Sequence, residues 1–412
     1  MTVIVIGAGA AGLIAAGTAA KHTEQVILIE KNDIIGKKLL ITGKGRCNIT
    51  NAADIEDMIQ MYPVNGKFLY SALYSFTNDD IVSLIESFGV KTKVERGGRV
   101  FPVSDKSKDV VYALKKYALK SNVKLIHSAV REILAENGEI CGVKTDNGII
   151  NGDRVIVCTG GASYHNTGST GDGYKFAKQT GHCVTELKPS LVPIVTEEKW
   201  VTECMGLSLK NVAVSAYDEK GRRVYEDFGE MLFTHFGISG PIVLSMSEHL
   251  KNTKKYKIKI DLKPALTYEQ LDARLLRDFE KFSKKHLINS LDELLPKALI
   301  PIVIKLSGIE AHKQVCGITK EERRHLGECL KGLTLTFESF RPIDEAIVTS
   351  GGVSVKELNP STMESKKVKG LYFAGEVIDV DGYTGGYNLQ AAFSTGYLAG
   401  RSAAEREENV NV

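Results

Sequence analysis

The 412-residue sequence predicts an α/β protein whose parallel-stranded domain is built from both ends of the chain and interrupted by an inserted β-barrel plus helical domain. Three observations predict it. Two fully apolar runs, Val3–Ile6 and Val26–Ile29, flank a glycine loop and an alanine-rich segment. That is the pattern of a buried parallel strand, a helix and a second buried strand. After Pro189 the chain changes to short alternating runs, then to a charged stretch. After about Phe340 the apolar strands and glycine loops return. The boundaries that follow are 1–190, 191–342 and 343–412.

Each element has a local reason. Leu13 to Lys21 is alanine-rich and reads as a helix. Residues 79–90 and 107–121 carry helical spacing. Lys124 to Ile133 and Ile140 to Lys144 read as strands, with Asn137-Gly138 as the hairpin turn between them. Arg154 to Cys158 is another apolar strand and runs into Thr159-Gly160-Gly161. Thr170-Gly171-Asp172-Gly173 opens a helix through Thr180. In the middle of the chain, Val212–Tyr217 and Tyr256–Leu262 alternate, with Glu219-Lys220-Gly221 as a turn signal; they suggest a small barrel or sandwich. Residues 267–331 are charged and helix-like, with Lys and Glu at i, i+4 spacing. Gly370 to Glu376 holds a last apolar strand, and the tail from Glu405 reads as frayed.

Composition narrows the function. The net charge is +3 and charged residues make up 25%. That is too little excess for a nucleic-acid or membrane-surface protein, and the apolar content is too high for a disordered chain. No run of 18 apolar residues exists, so no membrane span is expected. The N-terminus lacks a basic segment and does not read as a secretion signal. Seven widely spread cysteines fit a reducing, cytoplasmic setting and no disulfide framework.

The first β-α-β unit carries a dinucleotide fingerprint. In Gly7-Ala8-Gly9-Ala10-Ala11-Gly12, Gly7 permits the turn off the strand, Gly9 admits a pyrophosphate, and Gly12 lets helix and strand pack closely. The N-terminus of the helix that follows offers free N–H groups and a positive dipole end to phosphates, with Ala10 and Ala11 of the loop as cofactor-binding candidates. Glu30 follows the second strand, 23 residues after Gly7, with Lys31 next to it. An acid there accepts bonds from both ribose hydroxyls and repels a 2′-phosphate, so the loop suits FAD or NAD. The other end of the chain favours FAD. A second apolar strand ends in Gly375-Glu376, and Gly385-Gly386-Tyr387-Asn388-Leu389 reads as a second loop-to-helix junction. Such a helix end can face the N1–C2=O edge of a flavin, where negative charge collects on reduction. A plain strand-turn-helix is the alternative reading.

The segment from Gly36 through Gly43-Lys44-Gly45-Arg46-Cys47-Asn48 to Asn51 resembles the signature of the BaiN-like flavoproteins. So do Leu232 to Pro241 and Ala374 to Leu389, and the resemblance spans essentially the whole chain. It implies a glutathione-reductase-like FAD-binding Rossmann domain with an insert, and bound FAD. It also implies that Gly45, Arg46, Cys47 and Asn48 lie along the flavin. Val130 would contact adenine through its backbone, Thr159-Gly160 would pass under the pyrophosphate, and Glu376 would reach the ribitol. The family's namesake activity is a 3-dehydro-bile-acid Δ4,6-reductase, and a relative is similar to an aminoacetone oxidase.

Other spacings in the sequence carry less chemistry. Cys47 has no neighbouring cysteine of the kind a redox disulfide needs, the next being Cys141. His312-x3-Cys316 and His325-x3-Cys329 would each share one helical face, but lack the closer Cys pairs of structural zinc sites, so no metal is expected. No second GxGxxG exists for a separate nicotinamide domain. Tyr383 in the glycine loop and His235 in a Thr-His-Phe-Gly turn are candidate proton donors, with turn-forming roles as the alternative.

The expected function is reduction of an activated C=C bond, with NADPH or NADH as donor and a small apolar substrate such as a steroid acid. Hydride would add to the β-carbon of an enone and Tyr383 or His235 would protonate the α-carbon. A flavin amine oxidase using O2 and a non-catalytic flavin-bearing RNA-binding or assembly protein are the alternatives. Neither a nucleic-acid partner nor a membrane is expected, and the sequence does not indicate an oligomeric state.

Overall fold

The computed structural model describes residues 1–251 and 254–405. The expected fraying beyond Glu405 lies outside the described residues. The chain divides into two compact units, Met1–Ser190 with Ile343–Val412, and Leu191–Pro342.

The first unit is organised by a five-stranded sheet. Its order is Leu371–Phe373, Arg154–Val157, Thr2–Ile6, Gln25–Glu30 and Val123–His127, and every pair is parallel. Val3, Ile4, Val5, Val155, Ile156 and Val157 are all fully buried, which is why these strands read as continuous apolar runs. The single strand expected over Lys124–Ile133 is two. Val123–His127 joins the parallel sheet, and Val130–Glu136 starts an antiparallel sheet with Glu139–Thr145 and Gly148–Asn151. The chain leaves the first sheet after Ser128, whose N–H donates to the Glu30 carbonyl at 3.0 Å. The alternating residues on both sides hide that break in the sequence. Asn137 and Gly138 both have positive φ, 52° and 79°, as a two-residue hairpin turn requires.

The helix Ala10–Ala19 is buried from Ala11 onward. It packs on the sheet, on the helix Ser107–Ala118 and on the helix Tyr387–Ala404. Contact with the last of these is backbone to backbone. A Cβ on Gly396 would lie 2.4 Å from the Ala11 carbonyl oxygen, and one on Gly400 would lie 2.4 Å from that of Ala15. Small residues four apart on each helix create this approach.

The second unit is a closed, all-antiparallel barrel of six strands. Going round, these are Ile194–Thr196, Gly237–Ser239, Arg223–Phe233, Ser208–Asp218, Tyr256–Asp261 and Leu333–Phe340. Tyr256, Ile258 and Ile260 point inward while Lys257 and Lys259 face out, the period-2 pattern of a half-buried strand. The charged stretch 267–331 holds three helices, Tyr268–Lys281, Ile300–Ser307 and Lys320–Lys331. Capping boxes start the first and third, Thr267 with Gln270 and Thr319 with Glu322. His312 and Cys316 do not share a helical face, which corrects that expectation. Residues 311–315 instead pair by backbone with 285–288, as in the Leu287 N–H to Lys313 carbonyl bond of 3.0 Å. Among the described residues no three His, Cys, Asp or Glu side chains are grouped to hold a metal. Nor is any described helix long and apolar enough to cross a membrane.

The Gly396 contact sets two effects against each other. Ala favours a helix interior over Gly by about 1 kcal/mol, while forcing a methyl into a backbone contact costs about 1–3 kcal/mol or more. Overpacking dominates, so Gly396→Ala is expected to lower the urea midpoint. A midpoint above that of the wild type would show that the two helices do not meet this closely.

Candidate cofactor site

The site residues of the first unit gather where its parallel strands end. Gly7 follows Ile6, Glu30 ends its own strand, Thr159 comes just after Val157 and Gly375 just after Phe373. The carboxyl edge of an open parallel sheet is where ligands bind in such folds.

The three loop glycines have different reasons. Gly7 has φ +98° and a Cβ there would lie 2.6 Å from the Cys158 carbonyl oxygen. One on Gly12 would lie 1.8 Å from the Gly7 carbonyl oxygen. Gly9 differs, because a Cβ there would meet nothing within 4 Å. Protein packing therefore demands Gly7 and Gly12, while the space before Gly9 suits a ligand's close approach. Gly9 is also the N-cap of Ala10–Ala19, with no side-chain cap and no acid in the first turn. The N–H groups of Ala10 and Ala11 keep their polarity for an anion. Glu30 is buried. Its carboxylate accepts from the Ala8 N–H at 2.8 Å, and from the Asn32 N–H and Nδ2 at 2.9 and 2.8 Å. Lys31 donates to Thr170 Oγ1 and Asp172 Oδ2, both at 2.6 Å. Burial opposes charge on Asp172, but the Lys31 ammonium outweighs it and holds the carboxyl below its ordinary range.

The segment after the helix Lys37–Ile41 is unusually twisted. Gly43, Lys44, Gly45 and Cys47 all have positive φ, between 56° and 85°, and left-handed non-glycine residues cluster at functional sites. Cys47 is fully buried, and burial pushes its thiol up to about 11, with Thr42 acting against it. The Arg46 guanidinium lies 4.1 Å from the centre of the Phe101 ring and binds Glu95 and Asp105. Those two acids raise its pKa further. Its side chain is thus committed to acids of its own unit. Asn48 Oδ1 and Thr159 Oγ1 are buried with no hydrogen-bond partner among the described residues. Unsatisfied buried oxygens of this kind are uncommon and fit a missing donor group.

The far end of the chain completes the set. Gly375 has φ +79°, and a Cβ there would lie 2.9 Å from the Ala11 Cβ, so the Gly375-Glu376 pair meets the start of the first helix. Glu376 binds Lys38 at 2.7 Å and accepts from the Thr349 N–H at 2.9 Å. Gly386, at φ +104°, caps Tyr387–Ala404 without any side-chain bond, and that helix also has no acid in its first turn. Asn388 clasps the preceding loop, accepting from the Gly382 N–H at 2.8 Å and donating to its carbonyl at 2.6 Å. Leu389 beside it is half-buried. The Tyr383 N–H donates to the Met61 carbonyl at 3.0 Å, leaving its ring half-buried in the glycine loop. Val130 is buried where the antiparallel sheet begins, and Gly160 has φ +72°.

His235 belongs to the barrel unit. It is exposed in the turn between Arg223–Phe233 and Gly237–Ser239, its ring edge-on to Phe236 at 4.9 Å. Sequence reasoning did not single out Lys38, Asn32, Thr50 or Gln390, although Lys38 and Thr50 lie inside the Gly36–Asn51 segment quoted for its resemblance.

A family model described as the HI0933-like protein Rossmann domain matches residues 1–402. A 3-dehydro-bile acid delta(4,6)-reductase of Clostridium scindens is 34% identical, over 98% of both chains. A ribosomal RNA dihydrouridine synthase of Haemophilus influenzae is 33% identical, again over 98% of both. Among solved structures, the 3-ketosteroid-delta4-(5alpha)-dehydrogenase of Rhodococcus jostii RHA1 shares the fold, with TM-score 0.54, 14% identity, and coverage of 98% of this chain and 96% of that one. The whole-chain match, on a sheet whose carboxyl edge carries the Gly7–Gly12 loop and the Gly375-Glu376 pair, means that this chain belongs to the HI0933-like Rossmann family and has its FAD-binding fold.

Proposed function

We propose that the protein is an FAD-dependent oxidoreductase that reduces a C=C bond conjugated to a carbonyl group, with NADPH or NADH as electron donor. The observation that carries this reading is the pair of uncapped helix N-termini, at Gly9 and Gly386, each without an acid in its first turn. Bound FAD supplies hydride to carbon. The chain's own residues supply orientation and electrostatics. The Ala10 and Ala11 N–H groups receive the pyrophosphate, while Glu30 stands at the ribose. Gly45, Cys47, Asn48, Thr159, Gly160 and Val130 line the cofactor, and the helix after Gly386 stabilises charge on the ring. Tyr383 or His235 is the proposed proton donor.

The substrate we favour is an apolar steroid acid with a 3-oxo-Δ4 or Δ4,6 system, supported by the 34% identical relative. The second reading has equal sequence support, since the uracil ring of uridine also has its C5=C6 bond conjugated to a carbonyl. Both are hydride addition at a β-carbon followed by protonation at the α-carbon. The net charge of +3 is small for a protein that binds RNA and favours the first reading.

Anaerobic addition of NADPH or NADH is expected to bleach the visible flavin band. A 3-oxo-Δ4 bile acid then restores it. Restoration by unmodified ribosomal RNA, with no response to the bile acid, would move the assignment to the nucleobase. A band that no nicotinamide bleaches, with peroxide formed from aminoacetone and O2, would replace the reductase by the amine oxidase.

Tyr383→Phe or His235→Ala is expected to lower turnover by roughly 100-fold or more with FAD still bound, the usual scale for a lost general acid. Wild-type turnover in both variants removes the two residues from the chemistry.

Cys47 is expected to do none. A thiol raised to about 11 stays protonated through neutral pH, and thiolate forms only as the pH nears that value. Cys47→Ala should therefore keep FAD and turnover within about threefold, with no inflection near pH 8.5 attributable to a free thiol.

A further inference from the structure

We infer that Thr50 and Gln390 are positioning residues, whose buried hydrogen bond locks the twisted loop before Asn51 to the first turn of Tyr387–Ala404 and thereby sets the reduction potential of the flavin. The inference rests on the proposed FAD site.

Both side chains are completely buried. The Thr50 hydroxyl donates to Gln390 Oε1 at 2.6 Å. Gln390 Nε2 donates to the Phe76 carbonyl at 3.1 Å and to Ser394 Oγ at 2.9 Å. Ser394 in turn donates to the same Phe76 carbonyl at 2.6 Å. Gln390 and Ser394 are four residues apart and share one helix face. An apolar pair would fill such a position without needing any partner, whereas this pair is satisfied only if loop, helix and Phe76 hold one relative placement.

Four further contacts hold the neighbouring backbone around the same helix start. Asn51 Nδ2 donates to the Gly97 carbonyl at 2.9 Å and to that of Gly385 at 3.1 Å. The Tyr62 hydroxyl donates to the Tyr387 carbonyl at 2.8 Å. A Cβ on Gly386 would lie 2.4 Å from the Thr50 carbonyl carbon. The N-cap of the helix is thus pressed onto the residue that bonds Gln390. Loop residues 45–48 and the helix N-terminus both belong to the proposed flavin site, so the lock fixes the distance between ring-lining backbone and free N–H groups. A preorganised dipole favours the more negative, reduced form of the ring.

The test uses the double variant Thr50→Val/Gln390→Leu, which removes both partners of the central bond together and so leaves neither facing a lost partner. The loaded double variant should carry FAD at the wild-type ratio by visible absorbance. Its midpoint potential, from equilibrium dye titration, should fall by about 30 mV, a tenfold loss of preference for the reduced cofactor. Thr50→Ser, which keeps the hydroxyl, should hold the wild-type potential. In the flavin-free full chain, amide exchange at residues 390–394, the first hydrogen-bonded N–H groups of the helix, should be faster in the double variant. An unchanged potential in a flavin-loaded double variant overturns the lock, and so does unchanged amide exchange. If the double variant does not fold, Thr50→Val alone carries the test with the same expected signs. A wild-type protein without a flavin band overturns the proposed function, and the amide-exchange comparison then still decides the lock.

Discussion

The first and last helices of this protein meet with almost nothing between their backbones. Gly396 and Gly400 sit against the carbonyl oxygens of Ala11 and Ala15, so that even one methyl group would collide. This contact decides where the C-terminal segment runs. The last helix follows Gly386, and Gly375 stands over Ala11 at the beginning of the first. Two junctions from opposite ends of the chain are thereby brought to one edge of one sheet. The buried first helix has no polar face to spare for solvent and is stabilised by packing on every side rather than by amphipathicity.

Placing helix ends in this way has an electrostatic consequence. Each end keeps its first-turn N–H groups free of side-chain caps, with no acid within the turn itself. Acids are present nearby, but each is engaged by protein partners. Glu30 is held by Ala8 and Asn32, Glu376 by Lys38 and Thr349, and Asp172 by Lys31. The unit thus separates its negative groups from its uncapped donors, an arrangement suited to an anionic, flat cofactor.

The parallel sheet and the Gly7–Gly12 loop were legible because each depends on local sequence. A buried parallel strand has to be apolar throughout, and only glycine fits where Gly12 meets the Gly7 carbonyl oxygen. The hairpin at Asn137-Gly138 was legible for the same reason. The break at Ser128 was not, since alternation continues through both strands and only pairing with distant partners divides them. The helical face proposed for His312 and Cys316 failed because residues 311–315 find backbone partners at 285–288, a tertiary effect that spacing cannot reveal. Arg46 illustrates a similar limit in the site. Its position in the signature was plain, but the acids that bind it, Glu95 and Asp105, lie between the two helical stretches 79–90 and 107–121, where no element was expected. The Thr50–Gln390 bond joins residues 340 apart, and nothing in either local sequence announces the other.

The two relatives of nearly equal identity bear different substrate names, and this limits what similarity can assign. A steroid enone and a uracil ring share little in size, charge or polarity. Their common property is a double bond polarised by a carbonyl group, and the reduction of such a bond asks the protein for the same services. It needs a rigid seat for the cofactor, donors where charge gathers and a proton placed at the α-carbon. The residues proposed for the first two services lie in the unit formed by Met1–Ser190 and Ile343–Val412. Within that unit, the fingerprint glycines, the twisted loop and the uncapped last helix are the parts proposed for cofactor and reacting bond, not for the remainder of the substrate. A divergence in substrate with near-equal identity is therefore what this division of labour permits, and the reaction class is the level at which the sequence and the site agree.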